Sequence, residues 1–318
     1  MAVNPHEIMI DVRQVSRRFR KTVAINDLSL AIKPGELFGI VGPDGTGKST
    51  LLRMIAAVLD PTAGQITLGG HDSVRDAEAV KAMIGYMPQH FGLYSDLSVA
   101  ENLNFTAELF GVTDEMFRER AATLYDFTQL ADFKNRPAGL LSGGMKKKLA
   151  LACALVHEPN VLLLDEPTTG VDPVARRDFW DLISGLHASG TTTVVSTPYM
   201  DEAERCNRVA LLYQGRLLVC DTPANIKAAV PGDVLAIATA AMRDVRDAVA
   251  DLPDLLDVQN YGKQINLIVS GDLDTVAYQV RARLDARSIP YDDVRPTPLR
   301  IEEAFIYLVK EADKERVA

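Results

Sequence analysis

Cysteine is scarce in this chain: three residues, Cys153, Cys206 and Cys220, in 318. They are odd in number, lie far apart and form no C-x-x-C pair. That excludes a disulfide framework and a cysteine zinc site, and it points to a reduced setting. Positive charge is also in deficit. Lys and Arg total 34 against 43 Asp and Glu, a formal net charge of −9, whereas general nucleic-acid binding needs a basic face. Long apolar runs are missing. LALACALV (149–156) and VLLL (161–164) are the longest, far short of the roughly 20 residues that span a bilayer. The start, MAVNPHEIMIDVRQ, carries Glu7 and no apolar h-region, so no signal peptide is expected. A role at a membrane would then take its membrane part from another chain. Internal repeats and low-complexity tracts are absent as well.

What remains is ordinary globular material: 47% apolar and 24% charged residues. That supports a sizeable core, and at roughly 150 residues per domain the length suggests two domains. Short strands are predicted at 10–19, 28–32 and 36–41. The last, ELFGIV, is a continuous apolar run bounded by Pro34-Gly35 and Gly42-Pro43, the pattern of a strand buried on both faces. A glycine-rich turn and a helix over 49–59 follow, giving the strand–loop–helix half of a parallel unit. Residues 98–150 read as helical. NVLLLDEP (160–167) and TTTVVST (191–197) read as buried strands, and RVALLYQGRL (208–217) as a hairpin. Beyond DTPANIKAAVPG the rhythm changes to a strand at DVLAIATA, a helix near 242–252, strands near 256–269, a helix over 273–287 and a last helix from 301. The predicted layout is an α/β domain over 1–228, its helical part near 90–150, and a small α+β domain over 229–318.

Chemistry concentrates in three places. Gly42-Pro43-Asp44-Gly45-Thr46-Gly47-Lys48-Ser49 has the G-x-x-x-x-G-K-[ST] spacing. Its glycines let successive N–H groups face phosphate oxygens, Lys48 supplies a point charge, and Ser49 supplies a hydroxyl for Mg²⁺. Thr50 follows in the helix whose positive end faces the same anion. In VLLLDEP, Asp165 ends a buried strand where an acid can hold Mg²⁺. Glu166 is placed to orient or deprotonate an attacking water. Between them, Ser142, Gly143 and Gly144 open a helix with exposed N–H groups and a hydroxyl, suited to another phosphate contact. The lysines that follow, Lys146, Lys147 and Lys148, read as a solvated face for at least two of the three.

These motifs, in this order, resemble the ATP-binding subunits of ABC transporters over about residues 8–228. The resemblance implies a P-loop NTPase core with a helical signature subdomain, ATP and Mg²⁺ as ligands, and a dimer in which Ser142, Gly143 and Gly144 reach the γ phosphate held by the other subunit. It implies that Phe19 stacks on adenine, against the competing reading of a core phenylalanine. It implies that Gln89 contacts Mg²⁺ and links the site to a separate transmembrane permease, and that Asp172 lies in the loop that communicates between subunits. The end, PTPLRIEEAFIYLVKEADKE, is similar to the tail of ABC-2-type efflux ATPases, which implies export. There Ile301, Ala304, Phe305 and Leu308 fall at helical spacing, so an apolar packing face is a sufficient account. The expected place of work is the cytoplasmic face of the membrane, with 85–110, including Phe91, Leu93 and Tyr94, against the permease.

Two positions depart from the family pattern. Pro198, in Ser196-Thr197-Pro198-Tyr199-Met200, occupies the place of a histidine, and proline offers neither a side-chain donor nor an N–H. Asp44 stands where a neutral Asn is usual, adding a carboxylate beside a polyphosphate. Together they suggest a weakened site in a chain paired with a second, different ATP-binding subunit, as in the first half of tandem ATPases of this group. The competing readings are a homodimer in which Ser196 or Thr197 replaces the histidine, a non-hydrolysing nucleotide-gated partner, and a non-transport ABC ATPase acting on DNA or ribosomes. The last would carry a long coiled-coil insertion or basic patches, and the sequence has neither.

Overall fold

The computed structural model describes residues 8–90 and 92–317; Phe91 lies outside the described residues. The elements run β1 (Ile10–Phe19), β2 (Thr22–Ile32), β3 (Leu37–Val41), α1 (Lys48–Ile55), β4 (Ala63–Leu68), β5 (His71–Asp72), α2 (Ala77–Met83) and β6 (Ile84–Met87). Then follow α3 (Val99–Leu109), α4 (Asp114–Thr128), α5 (Gly143–Leu155), β7 (Val161–Asp165), α6 (Pro173–Ala188), β8 (Thr192–Thr197), α7 (Met200–Ala203), β9 (Arg208–Tyr213) and β10 (Arg216–Asp221). The last stretch holds α8 (Pro223–Ala228), β11 (Asp233–Ala238), α9 (Met242–Val249), β12 (Leu255–Tyr261), β13 (Gln264–Val269), α10 (Leu273–Ala286), β14 (Asp293–Thr297) and α11 (Ile301–Val317). The chain divides into two compact units between Thr222 and Pro223, six residues before the line drawn from the sequence at 228. Helix α8 belongs with the second unit, where it packs on α11.

The first unit is built on a six-stranded sheet ordered β10-β9-β3-β8-β7-β6. Pairing is parallel from β9 through β6, and β10 alone runs antiparallel, at one edge. Strands β3 and β7 are buried at every position, which is why both read as unbroken apolar runs. A second, antiparallel sheet is ordered β2-β1-β4-β5. Helix α1 lies between the two sheets: Leu51, Leu52, Met54 and Ile55 share one core with Ile10, Val12 and Ile66 on one side and Phe38, Ile40 and Leu163 on the other. The sequence pattern extended this helix to 59, but it stops at Ile55. Ala57 adopts a left-handed φ of 54° and Val58 N–H returns to the Arg53 carbonyl at 3.0 Å, a C-terminal cap of Schellman type. Strands β4 and β6 and helix α2 were not foreseen, because they are short and their sequences carry little apolar periodicity.

Helices α3, α4 and α5 pack on one another and form the expected helical part. Each starts on a hydroxyl cap, from Ser98, Thr113 and Ser142 in turn, and Ser98 with Glu101 completes a capping box. The buried Asn102 on α3 holds the loop before it. Its amide nitrogen donates to the carbonyls of Tyr94, Leu97 and Ser98 at 2.9–3.1 Å, and its oxygen accepts from Tyr94 N–H at 2.9 Å.

The second unit is a four-stranded antiparallel sheet ordered β12-β13-β11-β14. Helices α9 and α10 cover one face through Val245, Val249, Val276, Val280 and Leu284, packed on Leu235, Ile237, Ile265 and Leu267. The other face carries Asn266 and Gln259, which pair across β12 and β13 and bond to Glu303 of α11: Asn266 Nδ2 to its carboxylate and Gln259 Nε2 to its carbonyl. Ile301, Ala304 and Phe305 of α11 are buried and Leu308 partly so, as the helical spacing predicts. The unforeseen member of that face is the buried Glu303, whose second oxygen accepts from Arg300 N–H at 2.7 Å. Strand β14 escaped the sequence reading because of Pro296, which an edge strand tolerates.

Replacing Asn102 by alanine strands the Tyr94 N–H, while the carbonyls of Tyr94, Leu97 and Ser98 keep their backbone donors Leu97, Ala138 and Asn102. The expected cost is about 1–3 kcal/mol, read as a lower midpoint in chemical unfolding followed by circular dichroism.

Candidate functional site

Parallel strands bring their carboxyl ends to one rim of the sheet, where an α/β fold presents its ligands. Val41 pairs with Thr197, Asp165 with Ser196 and Met87 with Leu164, so the loops leaving β3, β6, β7 and β8 emerge side by side. The loop after β3 is 42–49. Gly45 and Gly47 take φ of 79° and 101°, values that L side chains rarely adopt. A Cβ on Gly47 would stand 2.5 Å from the Ala24 carbonyl oxygen and 2.6 Å from Ile25 Cδ1. Thr46 closes the turn with its hydroxyl on the Pro43 carbonyl at 2.9 Å. Gly42 N–H reaches the Thr197 carbonyl at 3.4 Å, which ties the loop to β8.

Lys48 is only 3% exposed. Its ammonium donates to the Gly42 and Pro43 carbonyls at 2.9 and 3.0 Å and lies 3.3 Å from Glu166 Oε1 and 3.8 Å from Asp44 Oδ1. The Asp44 carboxylate itself is largely in solvent. Ser49 and Ser196 both donate to Asp165 Oδ1, at 2.8 and 2.7 Å. Asp165 is fully buried, and its Oδ2 has no hydrogen-bond partner among the described residues. A buried carboxylate oxygen left unpaired is costly. With the Ser49 hydroxyl and the Gln89 amide beside Glu166, it makes an oxygen-rich corner that fits a small hard cation such as Mg²⁺.

Glu166 sits in a left-handed backbone conformation, φ 49°, which places strain at the chemically loaded position. Its N–H bonds the Ser196 hydroxyl at 3.0 Å and carbonyl at 3.1 Å. Its Oε2 accepts from Gln89 Nε2 at 2.8 Å and Thr169 Oγ1 at 3.3 Å. The structure therefore joins five of the residues singled out from sequence, Lys48, Ser49, Gln89, Asp165 and Glu166, in one bonded cluster. Among the described residues no hydrogen bond ties Phe19 or Ser142, Gly143 and Gly144 to it. Phe19 is 42% exposed with Arg17 stacked 4.6 Å from its ring centre, so it is no core residue. Ser142 caps α5 through Met145 N–H, and Gly144 abuts α6 at Ala175. Asp172 caps α6, accepting from Val174 and Ala175 N–H at 3.0 Å each.

The two hydroxyls that precede Pro198 are both engaged. Ser196 is committed to Asp165 and Glu166, and Thr197 donates to the buried Glu202 at 2.5 Å. Sequence reasoning missed Glu202 because an acid within DEAE reads as solvated. It also accepts from Thr168 Oγ1 at 2.7 Å and faces Arg176 at 3.4 Å. Of the three lysines only Lys147 is buried, where α5 packs against the loop after β7; Lys146 and Lys148 are partly exposed. Beside β6 and α3 lies a groove of about 250 Å³ lined by Met87, Leu93, Tyr94, Phe105, Leu109 and Phe110, with Leu109 71% exposed.

Residues 25–169 match the family model described as ABC transporter. The probable multidrug ABC transporter ATP-binding protein YbhF of Escherichia coli (strain K12) is 39% identical over 96% of this chain and 52% of its own length, so the chain spans about half the length of that relative. The Nod factor export ATP-binding protein I of Burkholderia orbicola (strain AU 1054) is 39% identical over 76% of this chain and 81% of that protein. The daunorubicin resistance ATP-binding protein DrrA3 of Streptomyces coeruleorubidus is 34% identical over 97% of both. A dimeric post-hydrolysis ATP-binding cassette bound to ADP and Pi superposes with a TM-score of 0.61 at 27% identity, covering 67% of this chain and 98% of that one. CbiO1 from Clostridium perfringens, part of the ABC transporter complex cbiONQ, gives 0.64 at 27% identity over 78% and 96%.

Gly47→Ala forces a methyl group onto the Ala24 carbonyl at a positive φ. It is expected to destabilise the first unit by several kcal/mol, on the order of the cost of an incompatible backbone plus overpacking, seen as a lowered melting temperature without added ligand.

Proposed function

The chain belongs to the ATP-binding proteins of ABC transporters, and from that membership we propose that it is an ATPase that energises export through a separate membrane permease. The observation that carries the reading is the convergence of Lys48, Ser49, Gln89, Asp165 and Glu166 at the carboxyl ends of β3, β6 and β7. The N–H groups of 42–49 and the start of α1 receive the β and γ phosphates of ATP. Lys48 exchanges its carbonyl partners for phosphate oxygens. Phe19, exposed at the end of β1 with Arg17 already stacked on it, offers a face for adenine. Ser49, Asp165 and Gln89 hold Mg²⁺, which when bound neutralises phosphate charge. Glu166, fixed by Gln89 and Thr169, orients the attacking water and accepts its proton.

Ser142, Gly143 and Gly144 serve the nucleotide of a second ATP-binding subunit, so a closed dimer shields both phosphate chains from water. The groove at 85–110, lined by Leu93, Tyr94, Phe105 and Leu109, receives the permease, and Gln89 on the same segment carries the state of the nucleotide to it. The chain acts at the cytoplasmic face of a membrane, its permease supplied separately; no helix among the described residues is long and apolar enough to cross one. The multidrug, Nod factor and daunorubicin relatives support export.

The site itself is weakened on its switch side. Pro198 has no donor, and the neighbouring hydroxyls of Ser196 and Thr197 are engaged elsewhere. This favours a heterodimer in which the chain lends its intact signature segment to a more active companion while hydrolysing its own ATP slowly. Calorimetry with Mg²⁺ and ATP tests the reading directly: uptake of one nucleotide per chain is expected, and none by Lys48→Ala. Glu166→Gln keeps that affinity and lowers turnover by about 10²–10³-fold. Pro198→His is expected to raise turnover of the chain alone, by up to about 10²-fold for one restored donor. Ordinary turnover with no gain from the added histidine would sink the asymmetry.

A further inference from the structure

The loop after β7 holds Glu166 in place, yet its internal bonds are weak. Thr169 N–H reaches the Glu166 carbonyl at 3.2 Å and Val171 N–H the Thr168 carbonyl at 3.3 Å. The backbone is left-handed at Glu166 and Gly170. The short contacts in this stretch come from outside it: Thr168 Oγ1 donates to Glu202 at 2.7 Å, and the second comes from α5. Lys147, buried on α5, donates its ammonium to the Thr169 carbonyl at 2.6 Å, a charge-assisted bond of the strong kind. The same Thr169 presents its hydroxyl to Glu166 Oε2 at 3.3 Å. Burial lowers the Lys147 pKa to about 8, and the charges of Glu202 and Glu166 oppose that shift. A buried amine is costly unless its bonds hold it, so a lysine kept here is held in one geometry.

Lys147 lies five residues, roughly 7.5 Å along the axis, from Ser142 at the start of α5. At that start, Gly144 abuts Ala175 of α6. One helix thus has the signature segment at its tip and a cation on the glutamate loop about one and a half turns later. We propose that Lys147 is a positioning residue for Glu166, acting through Thr169, so that displacement of the α5 start by a nucleotide on the second subunit is felt at this chain's own water-activating carboxylate. The proposal rests on the ATPase reading given above and adds to it a route between the two nucleotide sites that is separate from the Asp172 cap.

The test uses the full chain and three readouts: calorimetric affinity for ATP with Mg²⁺, kcat and KM for hydrolysis, and hydrogen–deuterium exchange of the peptide spanning 165–171. Lys147→Met keeps the apolar stem and removes the ammonium. Its affinity and KM should stay within about twofold while kcat falls by about 10²-fold, the scale of a misplaced catalytic group. Exchange of 165–171 should rise at least tenfold. Lys147→Arg, which keeps the cation, should recover most of both losses. Thr169→Val should lower kcat, and the double variant Lys147→Met with Thr169→Val should lose no more than the worse single one. Should Lys147→Met fail to fold, Lys147→Gln is read by the same criteria.

Unchanged exchange and kcat in Lys147→Met, multiplicative losses in the double variant, or a loss carried by affinity rather than kcat would each overturn the proposal alone. If the unmodified chain turns over too slowly to measure, exchange in the ATP-loaded chain decides. No uptake of ATP by the unmodified chain overturns the ATPase reading and this proposal together.

Discussion

A single buried carboxylate, that of Asp165, organises the site. One of its oxygens takes the hydroxyls of Ser49 from the phosphate loop and Ser196 from β8; the other has no hydrogen-bond partner among the described residues. A charge this deep is tolerated only with close partners, and those partners exist only while β3, β8 and β7 keep their register. Slipping any one strand by a residue would turn its side chains to the opposite face and disperse Ser49, Ser196 and Asp165. The parallel sheet and the cluster are therefore one constraint. The apolar helix α1, wedged between two sheets, exists to hold the loop at the end of β3 against that carboxylate.

The parts of this arrangement that were legible in the sequence are those dictated by local chemistry. Glycines at φ values that other residues avoid, an apolar strand ending in two acids, and a serine opening a helix all carry their reason within a few residues. Strands β1, β3, β7 and β8 appear where their apolar runs place them. Harder to read were features whose cause is distant in sequence. Lys147 and Glu202 look like surface charges, since their burial depends on α5, α6 and α7 closing over the loop after β7. Strand β14 was hidden by Pro296, acceptable only because nothing pairs beyond it at that edge. Glu303 broke the apolar pattern of α11 because its partners, Asn266 and Arg300, lie in a strand and a cap that periodicity cannot see.

The two departures from the family pattern gain meaning from the charges around them. Lys48 faces Glu166 at 3.3 Å and Asp44 at 3.8 Å, with Asp165 one residue from the former. Two carboxylates, one of them largely in solvent, thus lie within 4 Å of a single ammonium before any phosphate arrives. A triphosphate brings several more negative charges, and attraction at such distances in a partly buried site is worth several kcal/mol per close pair. In the proposed function that deficit is met by a divalent cation at Asp165 and by donors from a second subunit. A histidine at 198 would have met part of it from within; Pro198 does not, and the hydroxyls of the two residues before it, Ser196 and Thr197, are already spent on Asp165 and Glu202. The same bonds that make the segment after β8 rigid make it unable to substitute for the missing donor. The proposed dependence on a companion subunit fits that electrostatics: a site short of positive charge gains most from a neighbour whose helix N-terminus and serine complete the cage, and in the same proposal this chain's Ser142, Gly143 and Gly144 serve the neighbour in return.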